Sequence, residues 1–261
     1  MEASLNDKIT ERQARIVEIV SQHGFATIDT LARDFSVSAQ SVRRDIIKLD
    51  AEGLLQRFHG GVGVCEASVR LGYSEKRTVA ADAKLRIAER AAELIPEDSI
   101  VFLDVGTTVE AVARALCGKR RLRVFTVSLP AAAILTGRPG IDLFVFGGAV
   151  RGADGSLAGE TTLAMIGRFR FDYAVLGYSG FDEDGALMDF DLEKVAVKQQ
   201  AIARSAHVLA VGDSSKFARR ALVRVAPPGA GSTIVTDAIS PADRKRFVTT
   251  FGYRVEKAGG P

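Results

Sequence analysis

The 261-residue sequence contains few of the residues that mark secreted, metal-binding or membrane proteins. Its two cysteines, Cys65 and Cys117, are far apart and belong to no CxxC pair, which argues against a disulfide framework and against structural zinc. The three histidines are too scattered to suggest a metal site. No apolar run approaches the ~20 residues of a membrane span, and the N-terminal residues lack the apolar core of a signal peptide. We therefore expect a cytoplasmic protein with free thiols, no membrane partner, no metal and no other cofactor.

The overall charge gives little indication of a partner. The chain has 47% apolar and 26% charged residues and a formal net charge of +3, which is ordinary for a globular protein of one or two domains. Residues 1–63 carry eight Lys and Arg against nine Asp and Glu, so their net charge is −1. The placement of these charges, rather than their sum, indicates what the N-terminal part binds.

Residues 35–61 have the pattern of a DNA-recognition helix followed by a β-wing. Ser38 is a natural N-cap, and Val42, Ile46 and Leu49 recur at helical spacing as an inward face. The opposite face carries amide, hydroxyl and cationic side chains, which suit base edges in the major groove and phosphates. The predicted DNA-contacting residues are Ser38, Gln40, Ser41, Arg43, Arg44 and Lys48 on the helix, with Arg57 and His59 on the wing.

The preceding residues complete the motif. Thr10 and Thr27 are expected to cap two preceding amphipathic helices, and residues 36–38 form a tight connection to the recognition helix. Residues 54–58 predict a wing strand, with a turn at residues 59–61. A small helical domain with a solvated basic face is the alternative. Three helices, a tight turn, paired arginines and a Gly-Gly wing together favour an α+β winged helix-turn-helix DNA-binding domain over residues 1–62.

The remaining chain alternates short apolar strands with helical segments. A linker is predicted at residues 63–79, followed by a helix at 80–94 with Leu85 and Ala88 on its inward stripe. Strand-like runs end near residues 105, 127, 146, 177, 212 and 236. This alternation predicts an α/β sensor domain with a largely parallel sheet over residues 80–256, and a disordered tail at 257–261.

The carboxyl ends of the predicted strands are suited to a small phosphorylated ligand, because ligands bind beyond these ends in open parallel sheets. Residues 104–108 read Asp-Val-Gly-Thr-Thr and lead into a helix whose first N–H groups form a ready anion site. Taken singly, each such turn is also explained as a chain reversal or a helix cap. The predicted effector-binding residues are Lys84, Asp104, Gly106, Thr107, Thr108, Gly147, Gly148, Arg151, Tyr178, Asp213 and Lys216.

These motifs resemble those of the DeoR family of bacterial transcriptional regulators over roughly residues 10–255. The matching motifs are VSxxSVRRD with HGG at the wing, LDVGTT, FGG and DSSKF. The resemblance implies a winged helix-turn-helix and a sensor with a fold like that of ribose-5-phosphate isomerase, which usually binds a phosphorylated sugar metabolite. Two long runs resemble the sequences of family members that respond to glycerol 3-phosphate. These runs are IPEDSIVFLDVGTTVEAVARAL and LGYSGFDEDGALMDFDLEKVAVK. That metabolite is therefore the expected effector, with another small sugar phosphate as the alternative.

The chain departs from the family pattern at two places. Many members have Thr-Asn where this chain has Thr126 and Val127, and many have smaller residues where it has Tyr178 and Ser179. The loss of an Asn removes a plausible polar contact, and a phenol narrows the pocket, so both changes bear on effector identity.

The expected function is a ligand-relieved repressor that binds double-stranded operator DNA as a homodimer or homotetramer. No catalytic residue is expected. The rival class is an isomerase-like enzyme, in which Asp104, Asp213 and Lys216 would perform acid–base work. Turnover of ribose 5-phosphate would identify such an enzyme. A DNA-binding protein without a ligand is the third class, and it predicts no thermal stabilisation by any metabolite.

Overall fold

The computed structural model describes residues 9–23, 25–58, 61–64 and 76–259. Contacts between Cα atoms divide the chain into two compact units, residues 1–72 and 73–261. Among the described helices, none combines the length and the apolar character that a bilayer crossing requires.

The first unit is a helix-turn-helix with a β-wing, as the sequence predicts. Its strands pair antiparallel in the order β1-β3-β2. Gly61, predicted to lie in the wing turn, instead begins the second wing strand, while His59 and Gly60 lie outside the described residues. Its elements are α1 (Glu11–His23), β1 (Phe25–Thr27), α2 (Ile28–Asp34), α3 (Ala39–Ala51), β2 (Leu55–Phe58) and β3 (Gly61–Val64).

Local hydrogen bonds set the helix ends of this unit. The hydroxyls of Thr10, Thr27 and Ser38 each accept a bond from the backbone N–H three residues on, at 3.3, 3.0 and 3.1 Å. Each cap stabilises its helix by about 1 kcal/mol. Gly53 has φ +69° and follows the end of α3, as expected for a residue just past a helix C-terminus. The three predicted caps and the predicted helix end are confirmed.

The predicted inward face of α3 forms the core of the first unit. Val42, Ile46 and Leu49 are almost fully buried and cluster with Ile16 of α1 and Leu31 of α2. Burying side chains of this size stabilises the fold by about 1.5–3 kcal/mol each. This packing holds the opposite face of α3 toward solvent.

The second unit is a seven-stranded parallel sheet, in the order β15-β14-β12-β9-β4-β5-β6 among the described residues, with two small antiparallel additions. Its strands are β4 (Ile100–Leu103), β5 (Leu122–Thr126), β6 (Ile141–Val145), β7 (Ala149–Arg151), β8 (Ser156–Ala158), β9 (Phe171–Gly177), β10 (Gly180–Phe181), β11 (Leu187–Asp189), β12 (Ser205–Val211), β13 (Val223–Ala226), β14 (Ser232–Thr236) and β15 (Arg254–Lys257). Its helices are α4 (Ala81–Glu93), α5 (Thr107–Leu116), α6 (Leu129–Leu135), α7 (Glu160–Ile166), α8 (Leu192–Ala203) and α9 (Pro241–Lys245), and a π-helical turn, Arg246–Thr250, extends α9.

Helices cover both faces of this sheet, because successive strand residues point to opposite sides. Val101 and Leu103 pack with α4, α5 and α6 on one face. Phe102 packs with α7 and α8 on the other. Both faces are therefore apolar, which explains the nearly continuous apolar runs of the central strands. The predicted α/β sensor fold with a parallel sheet is confirmed.

Besides Gly61, the structure corrects the sequence prediction at three further places. Strand β3 extends to Val64, so the predicted linker at 63–79 would begin inside a strand. Leu85, predicted to face inward, is 52% exposed, and Ile87 and Ala91 are buried beside Ala88 instead. The predicted disordered tail is wrong for Lys257, which pairs with Thr236, and for Ala258, which is buried.

Candidate functional site

The outward face of α3 carries the predicted DNA-contacting residues. Gln40, Arg43, Arg44 and Lys48 are exposed. The three cations take part in none of the ion pairs found among the described residues, so their charges are available to an anionic partner. The hydroxyls of Ser38 and Ser41 lie 3.0 Å apart, and the N-cap bond also joins these two residues.

A buried carboxylate, Asp45, fixes α3 against α1. It is 5% exposed and accepts a hydrogen bond from Arg12 Nε at 2.7 Å and another from Gln13 Nε2 at 2.9 Å. The hydrogen bond to Asp45 and its charge raise the pKa of Arg12. Sequence reasoning assigned no role to Asp45. Its position on the inward stripe, next to Ile46, was the signal.

Two further features belong to this surface, an exposed apolar side chain and a hydrogen bond between the wing and α3. Ile47 is 51% exposed on α3 between the arginines and Lys48, and sequence reasoning gave it no role. The backbone N–H of Arg57 donates to Asp50 Oδ1 at 3.0 Å, which ties the wing strand to the end of α3. The Arg57 side chain is exposed, as the predicted contact requires.

In the second unit, the turn after β4 has the geometry of an anion site. Gly106 has φ +125°, and α5 begins at Thr107 without any side-chain cap. The first N–H groups of a helix lack intrahelical partners, so those not capped are open to an anion. Thr107 is half-buried and Thr108 is buried, which places both at the base of this turn.

A buried charge cluster lies directly behind the turn. Asp104 and Lys198 of α8 are each 1% exposed and form an ion pair, and Lys198 Nζ lies 3.3 Å from Asp189 Oδ2 of β11. Asp104 Oδ2 also accepts from the Gly177 N–H at 3.1 Å, which ties the ends of β4 and β9 together. Sequence reasoning missed Lys198 and Asp189, although both fall within the motif-rich run after β9.

The pKa values of this cluster follow from burial and mutual charge. Burial favours the neutral amine of Lys198, but Asp104 and Asp189 outweigh it and raise the pKa of Lys198 to about 12. Burial would raise the pKa of Asp189, but Lys198 and the Ser179 hydroxyl hold it below its ordinary value. Burial raises the pKa of Asp104, against the charge of Lys198. Lys198 is thus the cation that balances the buried carboxylate of Asp104 and the half-buried carboxylate of Asp189.

Lysines converge on the same edge of the sheet from two directions. Lys84 of α4 is 7% exposed, and burial lowers its pKa while Asp213 and Glu110 oppose the shift. Lys216 lies on a 3-10 turn, Ser214–Ala218, that follows β12. Burial lowers the pKa of Lys216 to about 8, and neighbouring cations add to this shift. The predicted phosphate-neutralising residues therefore lie close enough to repel one another.

The remaining predicted effector residues have roles of their own. Thr162 Oγ1 donates to the Gly147 carbonyl at 2.7 Å, and a Cβ on Gly148 would lie 2.1 Å from the same hydroxyl. Gly148 therefore allows the close approach of α7, whereas the Gly147 carbonyl only accepts the hydrogen bond. Arg151 is exposed, and its Nε lies 3.0 Å from Glu193 Oε2. Asp213 caps the 3-10 turn through the Ser215 N–H at 3.1 Å.

Tyr178 is packed among apolar side chains. It is 7% exposed, its ring lies 4.9 Å from that of Phe181, and its hydroxyl is buried with no hydrogen-bond partner among the described residues. Burial raises the pKa of Tyr178. A Cβ on Gly212 would lie 2.8 Å from the Tyr178 ring, so the phenol requires a glycine at the end of β12.

A groove of about 610 Å³ lies at the opposite, amino-terminal edge of the sheet, between Asp98, Arg121 and Asp142. The Arg121 guanidinium is paired with Asp98 at 2.6 Å. Because this groove is remote from the strand ends that carry the lysines, it does not belong to the candidate effector site. Among the described residues, no group of three or more His, Cys, Asp or Glu has the arrangement of a metal site.

The matches to two family models agree with this division into two units. The family model of the DeoR-like helix-turn-helix domain matches residues 12–68, and that of the DeoR C terminal sensor domain matches residues 79–238. Among solved structures, ribose 5-phosphate isomerase A from Methanocaldococcus jannaschii is similar with a TM-score of 0.40 at 16% identity, covering 53% of this chain and 55% of that chain.

Two relatives are similar to this chain over nearly its whole length. The chain is 38% identical over 249 residues to the glycerol-3-phosphate regulon repressor of Escherichia coli strain K12, covering 95% of this chain and 99% of the relative. It is 35% identical to the HTH-type transcriptional repressor CsqR of the same organism, with 90% of each chain covered. With both domain models matched in order and relatives similar over nearly their whole length, the chain belongs to the DeoR family of transcriptional regulators.

Proposed function

We propose that this protein is a transcriptional repressor that binds operator DNA through α3 and the wing and leaves it when a small phosphorylated metabolite binds. The observation that carries this proposal is a capped helix of a winged helix-turn-helix that exposes Arg43, Arg44 and Lys48, which take part in no ion pair among the described residues. Glycerol 3-phosphate is the best candidate effector, because a relative 38% identical over 249 residues is the glycerol-3-phosphate regulon repressor.

DNA recognition by one module alone would be weak. Residues 1–63 carry a net charge of −1, so counterion release gives less affinity than it does for a basic module. Two modules joined in one oligomer gain affinity by binding two half-sites together. We therefore propose a homodimer or homotetramer on a repeated operator. Gln40 and Arg44 would read base edges, while Arg57 and the wing residue His59 would contact the backbone or the minor groove.

The effector phosphate would bind at the uncapped start of α5. The N–H groups at Thr107 and Thr108 supply hydrogen bonds, and Lys84 and Lys216 supply positive charge. The ligand must bind the DNA-free state more tightly, since a ligand shifts an equilibrium only through differential affinity. A coupling of about 1–3 kcal/mol gives 5- to 150-fold release.

The test is operator binding measured by fluorescence anisotropy while glycerol 3-phosphate is titrated. We expect release with a midpoint near the effector's dissociation constant, and no release by glycerol or by inorganic phosphate at the same concentration. Release by a different sugar phosphate alone would reject glycerol 3-phosphate but keep the repressor. Absence of operator binding, or turnover of ribose 5-phosphate, would contradict the proposal itself.

A further inference from the structure

One oxygen of the charge cluster behind residues 104–108, here called the anion turn, is left without a partner. Asp104 is 1% exposed, and its Oδ2 accepts from the Gly177 N–H at 3.1 Å and is paired with Lys198. Its other carboxyl oxygen, Oδ1, is buried and has no hydrogen-bond partner among the described residues. A buried polar group without a partner costs free energy, and a charged one costs more. Asp104 therefore carries an acceptor that lacks a donor.

Two other buried polar atoms also lack a partner among the described residues, and both are less suited to a ligand of the anion turn. The Ser232 hydroxyl belongs to the first residue of β14, at the amino-terminal edge of the sheet. The Tyr178 hydroxyl lies among apolar side chains beside Gly212, at the end of β12. Asp104 directly follows β4 and precedes Gly106 by two residues, so the chain itself places its carboxyl next to the turn.

A series of polar contacts holds the Asp104 carboxyl in place. Lys198 Nζ also lies 3.3 Å from Asp189 Oδ2, and Asp189 Oδ1 accepts from the Ser179 hydroxyl at 2.8 Å. Because Lys198 and Gly177 both engage Oδ2 of Asp104, Oδ1 keeps its capacity to accept. Burial raises the pKa of Asp104, and the Lys198 ammonium opposes this shift. Lys198 is thus a positioning residue that orients the carboxyl and favours its charged form.

The anion turn has open space beside it. A Cβ added to Gly106 would meet no heavy atom within 4 Å. The uncapped N–H groups that follow, at the start of α5, suit a phosphate. A phosphate ester bound there has its carbon chain next to the turn that Asp104 begins.

We propose that Asp104 determines effector specificity: its Oδ1 accepts a hydrogen bond from a hydroxyl on the carbon chain of the phosphate ester bound at the start of α5. This inference rests on the proposed function and narrows the effector class to phosphate esters that carry a free hydroxyl. Because Oδ1 is covered in the free protein, the hydroxyl reaches it only when the turn opens. The effector then binds this second state more tightly, which is the condition for shifting an equilibrium.

The first experiment compares two ligands of the unmodified protein by calorimetry. Glycerol 3-phosphate carries two hydroxyls, whereas propyl phosphate has the same chain length and ester but no hydroxyl. We expect propyl phosphate to bind roughly ten- to a hundredfold more weakly, through the loss of a hydrogen bond to a charged group. Equal affinities would overturn the inference and leave the proposed function intact. Failure to bind any phosphate ester would overturn the proposed function as well.

A substitution at Val127 tests whether Oδ1 is the acceptor. In the β4–β5 register Leu103 pairs with Thr126, so Val127 lies one step further on, beside Asp104 and in the apolar cluster that includes residues of α8. An Asn at this position offers Oδ1 a donor from the protein. Val127→Asn should weaken binding of glycerol 3-phosphate roughly tenfold and leave that of propyl phosphate unchanged. Val127→Ala, the matched control without a donor, should keep the preference for glycerol 3-phosphate.

Asp104→Asn tests the residue directly. The amide has nearly the same shape but no charge, and Lys198 loses a partner, so urea denaturation accompanies the binding measurement. In the folded variant we expect the two esters to bind with similar affinity. A full preference for glycerol 3-phosphate in both Val127→Asn and Asp104→Asn would overturn the inference. Its loss in Tyr178→Phe alone would instead assign the hydroxyl contact to Tyr178.

Discussion

At the scale of single residues, the buried cation Lys198 neutralises two carboxylates of the second unit. It lies between Asp104, which is 1% exposed, and Asp189, whose side chain is 15% exposed, so its removal would leave both carboxylates without their cation. A lysine in an amphipathic helix normally predicts a solvated side chain, and the sequence offers no sign that this one is buried. Its environment is decided by Asp104, 94 residues away, and that pairing exists only once the sheet has formed.

We predict that Lys198→Met destabilises the protein by about 3–5 kcal/mol, because breaking a buried ion pair leaves uncompensated charge. Urea denaturation measures the loss. Lys194→Met is the matched control on the same helix, since the Lys194–Asp154 pair is 17% exposed on each side and more accessible to water. A loss in Lys198→Met no larger than in Lys194→Met would contradict the assigned role.

The titration of Lys216 gives a pH dependence of effector binding. Its pKa is lowered to about 8, so the ammonium loses its proton as the pH rises through this value. The phosphate ester is already a dianion there, because its second pKa is about 6. We expect the dissociation constant of glycerol 3-phosphate to increase above pH ~8, and Lys216→Arg to reduce this dependence. The same pH profile in the unmodified protein and in Lys216→Arg would contradict the assignment of this pH dependence to Lys216.

At the scale of one element, helix α3 shows which structural features a sequence pattern predicts and which it does not. Its cap at Ser38, its inward stripe and its end at Gly53 are local properties and were all predictable. The pairing of Asp45 with Arg12 was not, since it depends on how α1 lies across the stripe. Nor was the exposure of Ile47, an apolar residue on a face otherwise polar and basic.

We expect Ile47 to contact the methyl group of a thymine in the major groove, where apolar side chains recognise that base. Ile47→Ala should then weaken operator binding by about 1–2 kcal/mol, from the loss of apolar burial. Binding to unrelated DNA and the salt dependence should stay the same. Arg44→Ala is the companion variant, with an expected cost of about 1–3 kcal/mol at the operator. An equal effect of Ile47→Ala on all DNA sequences would argue for a disturbed fold.

Elements that depend on distant pairing were the ones missed. The strands that were missed have two to four residues each, too few for a clear pattern of alternation: β1, β3, β7, β8, β10, β11, β13 and β15. Each exists because a partner strand satisfies its backbone, as β3 does for β1. The central strands have long apolar runs and were predictable. For the candidate effector site, the sequence predicted the edge of the sheet at which it lies. It did not predict the ion pairs that Lys198 forms behind this edge.

At the scale of the whole molecule, DNA binding and effector response should be separable. We predict that Thr107→Ala combined with Lys216→Ala leaves operator affinity unchanged and abolishes release by glycerol 3-phosphate. Both substitutions lie in the second unit, and neither residue is on the DNA-binding surface. Anisotropy with and without the effector measures both properties. Normal release by the double variant would remove the proposed phosphate site.

The position of β4 between β5 and β9 determines the order in which a growing chain acquires its parts. Strand β4 carries the anion turn, yet its partner β9 is made only after α5, α6 and α7 have been synthesised. The DNA-binding unit, whose last described strand ends at Val64, precedes all of them. Domains fold as units during synthesis, N-terminal first. Each new polypeptide can therefore fold its winged helix-turn-helix before the strands that frame the proposed effector site have been synthesised.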